Sequence, residues 1–425
     1  MNRGFKLFLV GLLAFCVLFG AFCIIYPLVW GEDIRPMNTA PKQETTPKEP
    51  TTNQTATEPI TKPDEPAQPT VSITPEQEAA QALLETMSLH EKVYQLFMVR
   101  PEALTGVPTA TRAGDATKTA IEAQPVGGII YFAKNLEDRA QTMEMIEKSQ
   151  SYAKISMLIG VDEEGGIVSR VGSNPKMGTT KFDNMSVYGA QEDPQGVYSM
   201  STVMGKELKE LGFNVDFAPV ADVVTNPDNT EIGPRSFSSD PVTAAQMVGS
   251  FVAGMQDSGM PATLKHFPGH GGTTTDTHNG LSTTTRTLAE MRTSEFIPFR
   301  AGIDAGAEFV MVGHLTVAAL HGGANVPSDL SPQVVSDLLR RELGFGGIII
   351  TDSHEMGAIT NYFDADEAAV KAFIAGVDIV LMPADLDAAV QGVLDAVDGG
   401  TLSEERINES VLRVLTMKYR YGVIK

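Results

Sequence analysis

The chain has 425 residues, 42% of them hydrophobic, and its 53 acidic and 32 basic side chains give a formal net charge of −21. This length is enough for one large domain with its own core plus further segments. The negative charge would repel the phosphate backbone of nucleic acid, so we exclude a nucleic-acid partner. Both cysteines, Cys16 and Cys23, lie in an N-terminal hydrophobic run, which excludes disulfides and thiolate metal sites from the rest of the chain.

Residues 1–32 are typical of a membrane anchor. Arg3 and Lys6 precede an uncharged apolar stretch from Leu7 to Trp30. As a helix this stretch would span about 36 Å, enough to cross a bilayer. The positive-inside rule puts the two basic residues in the cytoplasm and the chain after Trp30 outside. We therefore expect a single-pass cell-membrane protein whose main domain is extracytoplasmic. A cleaved signal, which would give a secreted protein, is the alternative.

Residues 33–73 are rich in Pro and Thr and contain almost no large apolar residues. A segment of this composition cannot bury enough surface to fold, and its prolines favour extended polyproline II. We predict a disordered, semi-rigid stalk between the membrane and residues 74–425.

Residues 74–425 have the pattern of a single α/β domain. Capping boxes at Thr74 (Thr-Pro-Glu-Gln) and Ser88 (Ser-Leu-His-Glu) predict the starts of two helices. Short apolar runs then alternate with helical stretches such as Pro332–Leu343, which has Ser331 as its cap. The predicted strands are Leu96–Val99, Gly128–Phe132, Met157–Val161, Val215–Pro219, Thr263–Phe267, Phe309–Val312, Gly347–Thr351 and Asp378–Met382.

Apolar strands that alternate with helices predict a parallel sheet covered on both faces. Eight such strands favour a (β/α)8 TIM-type barrel, with a doubly wound open sheet as the alternative. Polar residues follow several of the strands, at the ends where barrel active sites are built. They are Asp162-Glu163-Glu164, Asp222, the segment from His270 to His278, His314 and Asp352.

One segment carries the most chemical information. It begins Lys265-His266-Phe267-Pro268-Gly269-His270 and continues to Asp276-Thr277-His278. Lys and His at the end of a buried strand are costly unless they bind something. Asp276 can reach the imidazole of His278 and fix its tautomer, and a histidine held in this way can exchange a proton near neutral pH. A metal site and ordinary surface histidines are the alternatives, although Pro and Gly break any regular ligand spacing.

Asp352 follows the apolar strand Ile348-Ile349-Ile350-Thr351. An aspartate at the end of a buried strand is a candidate for a functional role. A cap for the next helix explains the same residue equally well.

The motif Lys-His-Phe-Pro-Gly-His-Gly, followed by Asp-x-His, resembles glycoside hydrolase family 3, in its bacterial β-N-acetylglucosaminidase branch. Further segments agree in the order of the family across residues 80–425. They are Gly160-Val161-Asp162-Glu163-Glu164-Gly165-Gly166, Asp216-Phe217-Ala218-Pro219-Val220-Ala221-Asp222-Val223, Pro234-Arg235-Ser236-Phe237 and Thr351-Asp352.

The resemblance implies a role for each matching residue. Asp352 corresponds to the catalytic nucleophile, His278 to the acid/base and Asp276 to its partner. The residues that match those gripping the sugar at the non-reducing end are Asp162, Arg170, Arg235, Lys265 and His266. Other branches of the family often take their acid/base from a second domain. The sequence ends soon after its eighth strand, and we therefore expect the barrel itself to supply it.

The activity implied is that of a retaining exo-β-N-acetylglucosaminidase acting on cell-wall fragments or chito-oligosaccharides. It implies a glycosyl-enzyme on Asp352, with no metal or cofactor, and we expect a monomer. The alternatives are a β-glucosidase, a β-N-acetylglucosaminide phosphorylase, a metal-dependent barrel hydrolase and a non-catalytic wall-binding protein.

Two residues depart from the pattern of the family. Ile167 stands where the family often has arginine straight after Glu-Gly-Gly, so one sugar contact or loop brace is expected to be missing. His354 is unusual two residues after the nucleophile, and we expect it to pack or to cap, with a second proton-transfer role as the alternative.

Overall fold

The computed structural model describes residues 73–273, 280–322 and 325–425, which belong to one compact unit. The predicted anchor, nearly all of the predicted stalk, and both Asp276 and His278 lie outside these ranges. Among the described residues, no helix has the length and apolar character needed to cross a membrane.

The first two helices begin at the predicted capping boxes. The Thr74 hydroxyl accepts a hydrogen bond from Gln77 N, and the Gln77 side chain accepts one from Thr74 N at 3.0 Å. Ser88 and Glu91 exchange the same pair of bonds. Each box satisfies backbone donors that a helix start leaves without partners.

Helices and strands alternate along the described chain. The α-helices of at least seven residues are Pro75–Leu84, Asp115–Ala123, Arg139–Tyr152, Met185–Gln191, Pro194–Leu211, Pro241–Ser258, Phe296–Asp304, Ala365–Ala375, Leu386–Asp398 and Glu404–Arg420. Shorter α-helices are Leu89–Tyr94, Pro101–Thr105, Leu288–Arg292, Ala318–His321 and Gly357–Thr360. The predicted helix Pro332–Leu343 is present as the π-helix Gln333–Glu342. Ser331 Oγ accepts a hydrogen bond from Val334 N, as expected for the residue that was predicted to cap this helix.

Eight strands form within the predicted apolar runs of the described ranges. They are β1 (Phe97–Val99), β2 (Gly128–Ile130), β3 (Leu158–Val161), β4 (Val215–Asp216), β5 (Thr263–Phe267), β6 (Phe309–Val312), β7 (Ile348–Thr351) and β8 (Val380–Leu381). Two further short pairs are Glu163–Gly165 with Val168–Ser169, antiparallel, and Thr283–Thr284 with Thr316–Val317, parallel.

The main strands are parallel throughout and form two sheets. The larger has the order β8-β1-β2-β3-β4 and the smaller has the order β7-β6-β5. Single parallel bridges, Asp216 to Ala262 and Ile350 to Ile379, connect residues at the edges of the two sheets. The predicted parallel α/β architecture is therefore confirmed.

The strands lie in a continuous apolar core. Ile348, Ile349 and Ile350 of β7, for example, are each no more than 1% exposed, as expected for strands covered on both faces. Because the strands are parallel, their carboxyl ends meet on one side of the domain. The polar residues that follow β3, β4, β6 and β7 are brought together there.

Candidate active site

A cavity of about 630 Å³ opens at the carboxyl ends of the strands. Its volume lies within the range of about 300–1,000 Å³ that is usual for small-molecule sites. Six of the predicted site residues line it: Asp162, Arg170, Arg235, Lys265, His266 and Asp352. They come from segments far apart in the sequence, so the fold, rather than local sequence, assembles this wall.

Lys265 is the centre of a buried group of ion pairs. Its Nζ lies 2.8 Å from Asp162 Oδ1 and 2.6 Å from Glu164 Oε1, and the side chain is only 2% exposed. Arg235 donates to the two oxygens of Glu164 at 2.8 and 2.9 Å. Burial opposes ionisation, but the charges of Lys265 and Arg235 prevail and lower the pKa of Glu164 to about 2. The two cations are held between these carboxylates, and Glu231 Oε1 lies a further 3.8 Å from Arg235 Nη1, so the wall is strongly polar.

Asp222, which follows β4, organises His266 of β5 and His270, which follows β5. Its carboxylate lies 2.8 Å from His266 Nδ1 and accepts from His270 N at 2.6 Å. Since the carboxylate only accepts, His266 Nδ1 carries a proton. His266 Nε2, 3.4 Å from Arg235 Nη2, is then the acceptor of that pair. Asp222 thereby fixes the tautomer of a histidine that lines the cavity.

The chain turns sharply after β5. A Cβ atom on residue 271 would lie 1.9 Å from the Val223 carbonyl oxygen, so Gly271 lets the two segments touch. The peptide bonds Lys265–His266 and Phe267–Pro268 are cis. This turn leads into residues 274–279, which carry Asp276 and His278 and lie outside the described ranges.

Glu163 fixes the short hairpin after β3. Its buried carboxylate accepts from Ser169 Oγ at 2.5 Å and from the backbone amides of Arg170, Val171 and Gly172 at 2.7–3.2 Å. The hairpin carries Arg170 to the cavity wall, where its guanidinium lies 6.0 Å from the ring centre of Phe132. Within the described part of the chain, Arg170 Nε is buried without a hydrogen-bond partner.

Asp352 follows β7 and is partly exposed to the cavity. Its Oδ1 accepts from Ser353 N at 2.8 Å. Desolvation favours the neutral acid, but the positive charge of His314, together with the hydrogen bond from Ser353 N, outweighs it and lowers the pKa of the carboxyl group. An ionised carboxylate at this position is suited to attack an electron-poor carbon.

Three buried residues lie behind Asp352. His314 Nε2 donates to the Ser353 carbonyl at 2.8 Å, and His314 Nδ1 lies 3.1 Å from Asp329 Oδ1. The other oxygen of Asp329 lies 2.8 Å from His354 Nε2. The expectation that His354 packs or caps therefore understates its contacts, because it binds a buried carboxylate.

A sequence model of the glycosyl hydrolase family 3 N-terminal domain matches residues 88–417. The chain belongs to glycosyl hydrolase family 3. Beta-hexosaminidase A of Pseudoalteromonas piscicida is 34% identical over 320 residues, which cover 69% of this chain and 53% of that protein. A beta-hexosaminidase of Stenotrophomonas maltophilia is 36% identical over 277 residues, 63% of this chain and 80% of that protein.

A solved family 3 beta-N-acetylglucosaminidase from Paenibacillus sp. superposes with a TM-score of 0.74 and 37% identity. The match covers 80% of this chain and 63% of that structure. The chain thus spans about half the length of the Pseudoalteromonas relative and less than two thirds of the Paenibacillus structure. The family membership expected from the sequence motifs is confirmed.

Several polar residues of this family 3 site were not assigned a role from sequence. Glu164, Glu231 and His270 line the cavity, and Asp222 lies directly behind His266. The only sequence signal for these residues was their position after predicted strands. That position indicates that they lie at the edge of the sheet where the site forms, but not which side chains they contact. Within the described ranges, no group of three or more His, Cys, Asp or Glu residues is arranged to hold a metal ion.

Proposed function

We propose that this family 3 protein is a retaining exo-β-N-acetylglucosaminidase that releases terminal β-linked N-acetylglucosamine from cell-wall fragments or chito-oligosaccharides. The observation that carries the proposal is the ionised Asp352 at a cavity whose walls present fixed donors and acceptors for sugar hydroxyls. The names of the relatives, beta-hexosaminidase and beta-N-acetylglucosaminidase, support the choice of sugar.

The reaction proceeds in two steps through a covalent intermediate. Asp352 attacks the anomeric carbon while His278 protonates the departing oxygen, and a glycosyl-enzyme forms. His278 then takes a proton from water, which attacks the same carbon and restores Asp352, so the anomeric configuration is retained. Asp276 holds the tautomer of His278 and stabilises its imidazolium form.

The sugar is held by the polar wall. Asp162 and Glu164 keep their orientation through Lys265 and Arg235, so their remaining lone pairs can accept from hydroxyl groups without reorganisation. Arg170 offers the buried Nε–H described above. Ion pairs of this kind hold the wall in place before the substrate enters.

We also infer that the eight strands close into a (β/α)8 barrel. The bridges from Asp216 to Ala262 and from Ile350 to Ile379 lie between the edges of the two sheets, β4 beside β5 and β7 beside β8. Closure of a parallel sheet requires contact at both of these edges.

The N-terminal sequence supports a proposed location for the domain. Residues 1–32 would anchor the protein in the cell membrane and residues 33–73 would hold the domain, from residue 74 onward, outside it. This arrangement suits an enzyme that recovers sugars from wall fragments. Cleavage after the apolar run would release the same domain as a secreted protein.

A phosphorylase is the second candidate function. A histidine acid/base avoids placing a second carboxylate beside Asp352, so an anionic phosphate could replace water as the acceptor. The product would then be N-acetylglucosamine 1-phosphate rather than free sugar. A β-glucosidase and a non-catalytic wall-binding protein are the remaining alternatives.

The test is release of 4-nitrophenol from the N-acetyl-β-glucosaminide and the β-glucoside by the full-length protein, with and without phosphate. We expect turnover of the N-acetyl sugar without phosphate, and loss of at least about 10³-fold in kcat/KM for Asp352→Ala. His278→Ala should also be strongly impaired. Asp337→Ala, at an exposed aspartate paired with Arg341, is the matched control and should behave as wild type.

Four outcomes would change the assignment. Phosphate-dependent turnover with a glycosyl phosphate product would make the protein a phosphorylase. Preference for the glucoside would make it a β-glucosidase. Full activity of Asp352→Ala would contradict Asp352 as the nucleophile, and no turnover of either sugar would favour the wall-binding alternative.

A further inference from the structure

Behind the nucleophile lies a buried group that the proposed reaction does not use, formed by His314, Asp329 and His354. None of the three side chains is more than 2% exposed. They come from three separate segments: His314 after β6, Asp329 in the 3-10 turn Ser328–Leu330, and His354 after β7. Burying three ionisable groups is costly, so their arrangement calls for a physical explanation.

The contacts of the two ring nitrogens favour a charged His314. Its Nε2 faces the Ser353 carbonyl at 2.8 Å, and a carbonyl only accepts, so Nε2 carries a proton. Its Nδ1 faces a carboxylate oxygen of Asp329 at 3.1 Å, which favours a proton on that nitrogen too. This ion-pair distance, rather than a second hydrogen bond, favours an imidazolium at His314. Its pKa is consistent with this, because the charge of Asp329 overcomes the effect of burial and raises it to about 9.

Asp329 is held in place from both sides. Its second oxygen lies 2.8 Å from His354 Nε2, whose proton it accepts. The turn that carries Asp329 is fixed to the chain after His314, because Ser328 N donates to the Leu315 carbonyl at 3.0 Å. His354 N in turn donates to the Leu381 carbonyl of β8 at 3.0 Å. The three residues thus connect the ends of β6, β7 and β8.

The contact with Ser353 links this group to the nucleophile. The Ser353 carbonyl accepts from His314, while the Ser353 amide donates to Asp352 Oδ1 at 2.8 Å. Orientation of that amide therefore sets the orientation of the attacking carboxylate. The cations that face Asp352 are His314 and Lys265, and the ring of His266 faces it as well. The titratable groups that face His314 are Asp329, His354 and Asp352.

We propose that Asp329 and His354 are positioning residues for the nucleophile: they hold His314 as a cation, which fixes the Ser353 backbone and keeps positive charge next to Asp352. The inference rests on the proposed function, in which Asp352 is the nucleophile. It assigns His354 an indirect role in catalysis, through Asp329 and His314, rather than a second proton transfer.

The experiment measures kcat/KM for the 4-nitrophenyl N-acetyl-β-glucosaminide against pH, using the full-length protein. In Asp329→Asn, His314 loses its anionic partner and gives up its charge at lower pH. We expect kcat/KM to fall about 10- to 100-fold, as displaced reacting groups typically cause. Without the nearby cation, the pKa of Asp352 rises, so the acidic limb of the profile moves to higher pH.

Two substitutions of His354 test the same inference even if the Asp329→Asn variant does not fold. His354→Gln retains an N–H that can donate to Asp329 and should keep most of the wild-type activity and its acidic limb. His354→Leu retains the bulk of the side chain but not its hydrogen-bond donor. It should shift the acidic limb of the kcat/KM profile to higher pH, as Asp329→Asn does. Equal profiles for the two His354 variants would overturn the inference.

The matched control is Asp378→Asn. Asp378 is also fully buried and ion-paired, with Arg340 and Arg413, but it precedes β8 at the opposite ends of the strands. It should lower the melting temperature without moving the acidic limb. Asp329→Asn could instead lower kcat/KM by the same factor at every pH and leave the acidic limb in place. The role of Asp329 would then be only structural, and the inference would be wrong. A wild-type protein without turnover would overturn the proposed function itself.

Discussion

Arg235 binds Glu164 through two parallel hydrogen bonds, from Nε to Oε2 at 2.8 Å and from Nη2 to Oε1 at 2.9 Å. The same carboxylate lies 2.6 Å from Lys265 Nζ. One buried anion therefore holds two cations that line the cavity. Such paired geometry is stronger and more directional than a single ionic contact. Removing the anion would leave the cations to repel each other in a poorly solvated wall.

The first prediction concerns Glu164→Gln. We expect a loss of about 3–5 kcal/mol in the free energy of unfolding at pH 7, the usual cost of removing one partner from a buried ion pair. KM should rise as well, because Lys265 and Arg235 lose their fixed positions. Urea unfolding and steady-state kinetics measure the two effects. Glu144→Gln, which removes an exposed partner of Lys148, should change neither.

The pH dependence of stability gives a second check on Glu164. Its pKa is lowered from 4.5 to about 2 in the folded protein. The stabilisation is therefore fully present above pH 4.5 and is lost as the pH falls from there towards 2. The loss of wild-type stability over that window should be smaller in Glu164→Gln. If the free energy of unfolding fell equally with pH in the wild type and in Glu164→Gln, the ionised Glu164 carboxylate would not contribute to stability in this way.

A second prediction concerns Glu163, which binds the hairpin carrying Arg170. In Glu163→Gln, the amide nitrogen cannot accept, so at least one buried N–H loses its partner at a cost of about 1–3 kcal/mol. We expect a higher KM with a smaller change in kcat, because the hairpin holds substrate rather than reacting with it. Ser169→Ala removes one of the hydrogen bonds to Glu163, together with the bond that Ser169 Oγ accepts from Ser173 N at 2.9 Å, and should produce a weaker effect in the same direction. A change in kcat alone would contradict this role.

The strands and helix starts could be predicted because their signals are local. The apolar runs that became β5 and β6 have the predicted bounds, and the boxes at Thr74 and Ser88 begin helices as expected. Capping depends on residues three apart, and burial of a strand on both faces shows directly in its composition. The prediction that polar residues share one edge followed from the parallel direction of the strands.

The partners of these polar residues could not be predicted. Glu164 and Arg235 are 71 residues apart, and Asp329 and His354 are 25 apart. Which side chains meet depends on strand register and loop path, and neither leaves a local pattern in the sequence. Asp329 in particular lies in a Ser-Asp-Leu stretch that is typical of a surface turn, although the side chain is fully buried.

A third prediction concerns Ile167, where the family often has arginine. Ile167 is 63% exposed and lines the cavity. We expect it to contact the leaving group, so Ile167→Ser should lower kcat/KM for aryl glycosides about 2- to 5-fold, equivalent to burial of part of an apolar side chain. The melting temperature should stay the same. Val242→Ser, at a 58% exposed valine that is not among the cavity residues, is the control. Equal effects of the two substitutions would contradict the assignment.

The final prediction concerns Lys418, in the helix Glu404–Arg420. Its side chain is completely buried, and Nζ donates to Gln95 Oε1 at 2.8 Å. Burial lowers the pKa of Lys418 from 10.5 to about 7. The unfolded chain therefore binds a proton that the folded protein does not bind between these two values. The cost of burying the charge is complete below pH 7 and disappears as the pH rises from 7 to 10.5.

Lys418→Met should stabilise the protein at pH 6 and not at pH 10. At pH 6 methionine removes the cost of a buried charge but leaves Gln95 Oε1 without its donor, so we expect a net gain of about 1–3 kcal/mol. At pH 10 lysine is largely neutral when folded, and the lost hydrogen bond makes the substitution neutral or destabilising. Urea unfolding at both pH values measures the difference. Lys371→Met, at an exposed lysine, is the control and should show no such dependence. A gain of the same size at both pH values would mean that methionine acts by packing, and that the charge of Lys418 does not limit stability.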